Sequence, residues 1–433
     1  MFSGTVAAGP AKGLRGEIKV PGDKSISHRS VFFGAIAGGT TEVEGFLEGE
    51  DNLSTVNAFK KMGVEVETLG GQKVRVRGSG AAGLKEPDDV IDAGNSGTTT
   101  RLLTGLLSAQ PFFSVITGDA SLRKRPMKRV VEPLSMMGAS VAGRKNNSLL
   151  PIAISGKKLK GISYNTPVAS AQLKSAILLA GLYADGETTV TEPEKSRDHT
   201  ERMLRLFGAE IKVVRNSVSV RSTKGLIGCK IKIPGDISSA AFFMVGAMIT
   251  RDSELLIKDV GVNPTRTGII DILRKMGGSV STLNEREVSG EPVADILVRT
   301  SRLKGIEISG SDLLPAIDEF PVICVAAAFA EGTTTISGAA ELRVKESDRV
   351  AVMAGSLKAV GVKNTEKEDG IIIEGTAGDI PGGRVASHGD HRIAMSMAIA
   401  ALRSKKSVEI EGAGSVEVSF PGFFGLLDGV KAS

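Results

Sequence analysis

Tryptophan is absent from this 433-residue chain, and tyrosine and cysteine occur only twice each. Aromatic residues make up 4% and the formal charge is only +5, with no dense basic run interleaved with rings. Nucleic acid is therefore not an expected partner, because single strands need stacking platforms and duplexes a basic face. Cys229 and Cys324 lie far apart in the chain, outside any C-x-x-C or His-rich spacing, and the four histidines show no metal spacing either. Neither a disulfide framework nor a metal site is expected. The longest apolar stretch, Phe320 to Ala330, stops at Glu331, short of a membrane span, and the N-terminus lacks a basic segment followed by an apolar one. The expectation is a cytoplasmic protein with no membrane partner. Also missing are G-x-x-x-x-G-K-[ST], H-E-x-x-H, G-x-S-x-G and the dinucleotide fingerprint, which removes the usual support for nucleoside triphosphate, zinc, serine-hydrolase and dinucleotide chemistry.

What remains is an ordinary globular composition, 41% hydrophobic and 24% charged, long enough for two cores. A repeat runs through it. An apolar residue followed by glycine, placed as a helix end, occurs at Met62-Gly63, Met137-Gly138, Phe207-Gly208, Met276-Gly277 and Val360-Gly361, a spacing of about 70 to 85 residues. Between these ends lie small-residue helices predicted at 25–37, 97–107, 170–182, 238–248, 318–330 and 392–402. Runs such as Val325 to Ala330 and Ser175 to Ala180 are apolar all round, as helices buried on most sides are. Six units alternating strands and helices, three per domain, with central helices wrapped by sheets, follow as the expected α/β architecture.

The segment Pro21-Gly22-Asp23-Lys24-Ser25-Ile26-Ser27-His28-Arg29 returns as Pro234-Gly235-Asp236-Ile237-Ser238-Ser239-Ala240-Ala241-Phe242. The frame repeats while the charges do not. Two similar Pro-Gly-Asp turns suggest hinge crossings near 20–24 and 231–236. Domain one would then comprise 1–20 plus 234–433, and domain two 21–233. Lys24, Ser25 and Arg29 at a helix start suit an anion. Other helix starts carry Asn95, Ser96, Gly97 and Thr98; Ser170, Ala171 and Gln172; Asp318 and Glu319; and Asp390, His391 and Arg392, leaving Ser238 chemically blank. Any one of these is equally a plain N-cap. Further charge clusters are 123–129, with Arg125 directed by Pro126, then Ser196-Arg197-Asp198-His199, and Lys345-Glu346-Ser347-Asp348-Arg349. On a helix, Lys345 and Arg349 would share a face, with Glu346 and Arg349 at i,i+3.

Taken in order, Pro21 to Arg29, Gly94 to Thr98, Arg125-Pro126-Met127, Ser170-Ala171-Gln172, Leu342 to Arg349 and Asp390-His391-Arg392 resemble the motifs of the EPSP synthases. These are the 3-phosphoshikimate 1-carboxyvinyltransferase branch of the enolpyruvyltransferase family. The likeness runs from about residue 14 to Phe423. It implies two domains, each of three β-α-β-α-β-β units, which agrees with the repeat. It also implies transfer of the enolpyruvyl group of phosphoenolpyruvate to the 5-hydroxyl of shikimate 3-phosphate through a tetrahedral intermediate, without metal or organic cofactor, by a monomer.

By that resemblance, Lys24, Ser25, Arg29, Ser170, Ala171, Gln172, Asp318 and Lys345 bind shikimate 3-phosphate, with Ser196 or Arg197 at its phosphate. Lys24, Asn95, Gly97, Arg125, Gln172, Glu346, Arg349 and Arg392 bind phosphoenolpyruvate. Asp318 takes the hydroxyl proton, while Glu346 and Lys24 handle the proton at the methylene carbon. Seven cations would face two phosphates and two carboxylates. Each unit-charge pair about 4 Å apart is worth roughly 4 kcal/mol at an effective dielectric near 20, before desolvation is subtracted. The sequence departs from some members of the family at Val418, where they carry a lysine. The sister branch acting on UDP-N-acetylglucosamine fits less well: it pairs Lys with Asn where this chain has Lys24-Ser25, and it uses a loop cysteine. A non-catalytic anion binder would gain nothing from Asp318 and Glu346 among anions.

If the two domains close on their substrates, saturating shikimate 3-phosphate should lower the radius of gyration in solution scattering; an unchanged radius would count against closure.

Overall fold

A computed structural model describes residues 4–223 and 225–432. The chain divides into two compact units: unit 1 comprises Met1–Pro21, Pro234–Glu287 and Pro292–Ser433, and unit 2 comprises Gly22–Ile233 with Val288–Glu291. Among the described residues there are three sheets in each.

Five of the six sheets share one strand order, which is the structural form of the sequence repeat. In unit 2, for example, Ile91–Asp92 runs parallel to Phe113–Thr117, which pairs antiparallel with Leu149–Ser155, and Ser140–Gly143 closes the edge. In unit 1 the same order recurs as Glu307–Ile308, Thr333–Ile336, Gly370–Glu374 and Asn364–Lys367. The sixth sheet is completed from the other end of the chain, since Thr5–Ala8 pairs antiparallel with Val408–Glu411. Arg15–Lys19 likewise adds a parallel strand beside Glu254–Lys258. Both N-terminal strands therefore belong to unit 1 and make it discontinuous.

In unit 2 the inner helices are α1 (Lys24–Ile36), α3 (Gly97–Leu107) and α5 (Ala171–Gly181), and the outer ones α2 (Glu50–Lys61), α4 (Lys128–Met136) and α6 (His199–Leu206). In unit 1 the inner helices are α7 (Ile237–Ile249), α9 (Phe320–Ala328) and α11 (His391–Ala401), and the outer ones α8 (Gly268–Lys275), α10 (Arg349–Ala359) and α12 (Phe423–Gly429). Every residue of α7 and α9 is buried, and so is every residue of α1 from Ile26 onward. Helices enclosed on all sides carry no polar stripe, which explains their uniformly apolar or small-residue sequences. The few aromatic rings gather here: Phe32 meets Phe59 edge-on at 5.0 Å in unit 2, and Phe243, Phe420 and Phe423 cluster in unit 1.

The five apolar–Gly pairs are helix ends. Gly63, Gly138, Gly208, Gly277 and Gly361 all have φ between 82° and 98°. Each N–H bonds back to a carbonyl three residues earlier, and the next N–H bonds to the one five earlier, as with Gly63 to Lys60 and Val64 to Phe59. This is the left-handed helix stop that only glycine adopts without strain.

Two local expectations are corrected. Residues Lys345 to Asp348 are not helical: a 3₁₀ turn ends at Val344, Asp348 caps Ala351, and α10 begins at Arg349. Asp318 does not open a helix either, because it lies within the 3₁₀ stretch Leu314–Glu319, ahead of α9. In both places a short polar side chain suits a turn as well as a cap, and the turn wins. Among the described residues no helix is long and apolar enough to cross a membrane.

Inner helices α3 and α5 approach most closely at Gly105, where a Cβ would lie 2.1 Å from the carbonyl oxygen of Ala176. Alanine is the better helix former, yet here the backbones would have to part. Gly105→Ala should lower stability by about 2 kcal/mol, read as a lower urea midpoint at unchanged slope.

Candidate active site

In unit 2 the sequence-nominated residues sit at the first turns of the three inner helices and in the loops before the outer ones. Asp23 caps α1 by accepting from the Ile26 N–H at 2.9 Å, which leaves Lys24 and Ser25 on the opening turn. The Lys24 ammonium pairs with Asp51 at the start of α2, and its carbonyl accepts from Asn52 at 3.1 Å. Arg29 is buried one turn on. Its guanidinium donates to Thr200 at 2.7 Å, to Ser175 at 2.8 Å and to the Ser25 carbonyl at 3.0 Å. Burial brings its pKa down to about 10, opposed by Glu201 and Asp23, so it stays a cation at neutral pH.

Ser96 caps α3 through the Thr99 N–H at 3.1 Å. Before it, Asn95 donates to Asp119 at 2.6 Å and accepts from Arg125. Gln172, on the first turn of α5, accepts from Arg101 and donates to Thr98 at 3.0 Å, so one amide joins two helix starts. Gly97 lies beneath these groups: a Cβ there would come within 2.8 Å of the Arg101 guanidinium and 3.5 Å of that of Arg125. Ser170 caps α5, while the Ser170 N–H and both donors of Ser196 bond to Glu192. Ala171 opens α5, and Arg197 follows Ser196, half-buried, close enough for its charge to act on Arg29.

A buried chain of hydroxyls links these starts. His28 Nδ1 lies 2.8 Å from Thr55 Oγ1, which lies 2.6 Å from Thr99 Oγ1, itself 2.7 Å from Ser96 Oγ. Nε2 of His28 has no hydrogen-bond partner. Burial, then Lys24 and Arg29, push the pKa of His28 well below 6.5, so the ring is neutral.

The remaining nominated residues lie in unit 1 and converge on one guanidinium. Arg349, its side chain 2% exposed, donates to Asp390 at 2.9 Å, to Asp318 at 3.4 Å and to Glu346. Burial opposes its charge, but Asp390, Glu346 and Asp318 together hold its pKa well above the ordinary arginine value. Arg392 donates to the Asp318 carbonyl at 3.1 Å, and its other terminal nitrogen is 3.9 Å from the Asp318 carboxylate. Lys345 is half-buried at the end of the 3₁₀ turn. Ser347 donates to Asp390 at 3.0 Å, and Arg343 braces the loop through Asp348 at 2.8 Å and Glu366 at 3.0 Å. Val418 is buried in a 3₁₀ helix and supplies no charge.

Reading the sequence alone missed Asp51, Arg101 and Glu192, and named Asp390 only as a helix start. Asp51 holds Lys24, Arg101 holds Gln172, Asp390 holds Arg349, and Glu192 holds Ser170 and Ser196. Arg101 was within reach, four residues after Gly97 on the same helix face. The helix start at Ser238, read as blank, is not: buried Arg266 donates to Asp236 at 3.1 Å and to Ser238 at 2.8 Å, and Ser238 donates to Glu319. Arg266 and Glu319 come from outside the repeated segment, which is why comparing the two segments did not find them.

Two units, each with three copies of one sheet-and-helix module around buried helices, and with arginines and lysines at the inner helix starts, define the enolpyruvyltransferase class of α/β transferases. The family model of EPSP synthase (3-phosphoshikimate 1-carboxyvinyltransferase) matches residues 9–427, and the chain belongs to that family. It is 62% identical over 423 residues to the 3-phosphoshikimate 1-carboxyvinyltransferase of Geobacter metallireducens, covering 98% of each chain. It is 60% identical over 426 residues to that of Geobacter sulfurreducens, covering 98% of this chain and 99% of the other. A solved structure of EPSP synthase from Acinetobacter baumannii superposes with a TM-score of 0.89 at 52% identity, covering 99% of this chain and 98% of that one.

The neutral His28 has a thermodynamic signature. Its pKa is depressed on folding, so its contribution is complete above pH 6.5 and is lost as pH falls below that value, where the unfolded chain binds the proton and the native one does not. Compared with His28→Asn, the wild type should lose up to about 1.4 kcal/mol of relative stability per pH unit below 6.5, measured as urea midpoints from pH 7.5 to 5.

Proposed function

We propose that the nominated residues divide the labour of one reaction, the transfer of the enolpyruvyl group of phosphoenolpyruvate to the 5-hydroxyl of shikimate 3-phosphate with release of phosphate. Unit 2 collects the anions. Arg29, Ser170, Ala171, Gln172 and either Ser196 or Arg197 hold shikimate 3-phosphate together with Ser25, while Asn95, Gly97 and Arg125 hold phosphoenolpyruvate. Supporting this are Arg29 and Arg125, aimed by hydroxyls and amides beside the helix starts, with short side chains and backbone N–H groups around them.

Asp318 and Glu346 of unit 1 and Lys24 of unit 2 are assigned the proton chemistry. Asp318 takes the proton of the attacking hydroxyl, and Glu346 with Lys24 delivers a proton to the methylene carbon of phosphoenolpyruvate. Protonation makes C2 electrophilic, and the hydroxyl oxygen adds there to give a tetrahedral intermediate. Loss of a methyl proton and departure of phosphate restore the double bond. Arg349, Arg392 and Lys345 stabilise the negative charge of phosphate and carboxylate during both steps. The observation that carries this reading is the convergence of Asp318 and Glu346 on Arg349, with Arg392 beside them. A fork donor of that kind fixes two carboxylates in orientation while itself remaining charged. The two thiols, Cys229 and Cys324, are both unpaired, which suits a reducing cytoplasm.

The test is phosphate release from phosphoenolpyruvate, with and without shikimate 3-phosphate. Release should depend on shikimate 3-phosphate. Asp318→Asn and Glu346→Gln should each lower kcat by about a hundredfold to ten-thousandfold, with KM for either substrate changed far less. Release that ignores shikimate 3-phosphate, or an Asp318→Asn enzyme with wild-type kcat, would remove the assignment.

A further inference from the structure

Behind the helix start at Ser170 lies a sealed ionic cluster that none of the proposed steps uses. The Lys174 ammonium, 1% exposed, is 2.8 Å from Glu192 and 2.8 Å from Glu201, whose side chains are 1% and 2% exposed. Glu192 follows the strand Glu187–Thr191, and Glu201 belongs to α6. One oxygen of Glu192 accepts from the Ser170 N–H at 3.0 Å. The other accepts from the Ser196 N–H at 3.2 Å and from the Ser196 hydroxyl at 2.9 Å, beside the Lys174 ammonium. Glu201 also acts on Arg29, which is tied to Thr200 and Ser175, and through Arg29 the cluster reaches Arg197, Asp23 and Glu291.

A carboxylate behind an anion subsite is costly, because it repels the ligand and is itself desolvated. It is tolerated here because Lys174, four residues after Ser170 on α5, neutralises it from the same helix that presents Ser170. Every hydrogen bond that Glu192 accepts from the backbone or a hydroxyl comes from Ser170 or Ser196, which lie on separate segments on either side of it. One carboxylate therefore fixes the distance between Ser170, assigned to shikimate 3-phosphate, and the Ser196-Arg197 segment, assigned to its phosphate.

We propose that Glu192, paired with the buried Lys174, is the positioning residue of the phosphate subsite, setting the Ser170 helix start and the Ser196-Arg197 loop at the separation a phosphate monoester dianion requires. This rests on the assignment of Ser170 to shikimate 3-phosphate and of Ser196 or Arg197 to its phosphate. Glu192 touches no substrate, so its removal should act on one substrate's affinity and not on the chemical steps.

The decisive variant is Glu192→Asp, which retains the charge opposite Lys174 but is one methylene too short to span both segments. On the full-length enzyme, KM for shikimate 3-phosphate should rise at least about tenfold, while KM for phosphoenolpyruvate and kcat stay within about threefold and the melting temperature changes little. Lys174→Met leaves two carboxylates facing each other without a cation and should weaken shikimate 3-phosphate in the same selective way. Adding Glu201→Gln removes one of those charges and should recover most of the loss. An unchanged KM for shikimate 3-phosphate in Glu192→Asp would overturn the proposal, as would parallel changes in both KM values and kcat that track a fall in melting temperature. Should Glu192→Asp not fold, the Lys174 pair decides, and absence of recovery in Lys174→Met/Glu201→Gln overturns it. Wild-type enzyme that shows no dependence on shikimate 3-phosphate would instead sink the functional reading itself.

Discussion

A guanidinium sealed from water cannot remain unpaired, and unit 1 is arranged around that requirement. Arg349 has three carboxylates around it, each from a different segment: Asp318 from a 3₁₀ stretch, Glu346 from a loop and Asp390 from the cap of α11. Stripping one partner from a buried ion pair typically costs about 3–5 kcal/mol, so these segments are held in mutual register by the charge they share. The chemistry inherits that rigidity. Asp318 and Glu346 are oriented by a group that cannot give up its own proton, an arrangement lysine could not reproduce because it offers no planar fork.

Unit 2 meets a different constraint. Carboxylates stand at its helix starts too, as where Asp51 pairs with Lys24, but hydroxyls and amides do much of the aiming of its arginines. Arg29 is held by Thr200 and Ser175, and Arg125 by Asn95, none of which cancels charge. The hydroxyl chain from His28 to Ser96 adds stiffness without adding charge, provided the ring stays neutral. The contrast matches a division between collecting dianions and moving protons, because attraction wants surplus charge and proton transfer wants fixed geometry.

The fold was legible from glycine. Five apolar–Gly pairs marked five helix stops because only glycine enters the left-handed region freely, and the inner helices announced themselves by lacking a polar stripe. The discontinuous sixth sheet left no local trace, since strand pairing between residues 5 and 411 is written nowhere near either one. At the site, residues displayed at helix starts were readable one by one. What held them was not: Asp51 and Glu192 act on partners 27 and 22 residues away and look in sequence like any surface acid, while Asp390, visible as a helix start, gave no sign of the Arg349 it holds 41 residues earlier. The loop from Lys345 to Asp348 was misread as helix because an i,i+3 charge pair forms equally well across a capped turn, and the Asp348 cap was the signal that should have outweighed it.

The helix start at Ser238 is the mute twin of the one at Ser25. In this twin, Glu319 accepts from Ser238, and Arg266 donates to Asp236 and Ser238, so carboxylates from within the chain engage its donors. Duplication of an anion-seeking scaffold creates as many appetites as copies. Glu319, which has no place in the repeated segment, gives one of two like frames a different electrostatic character.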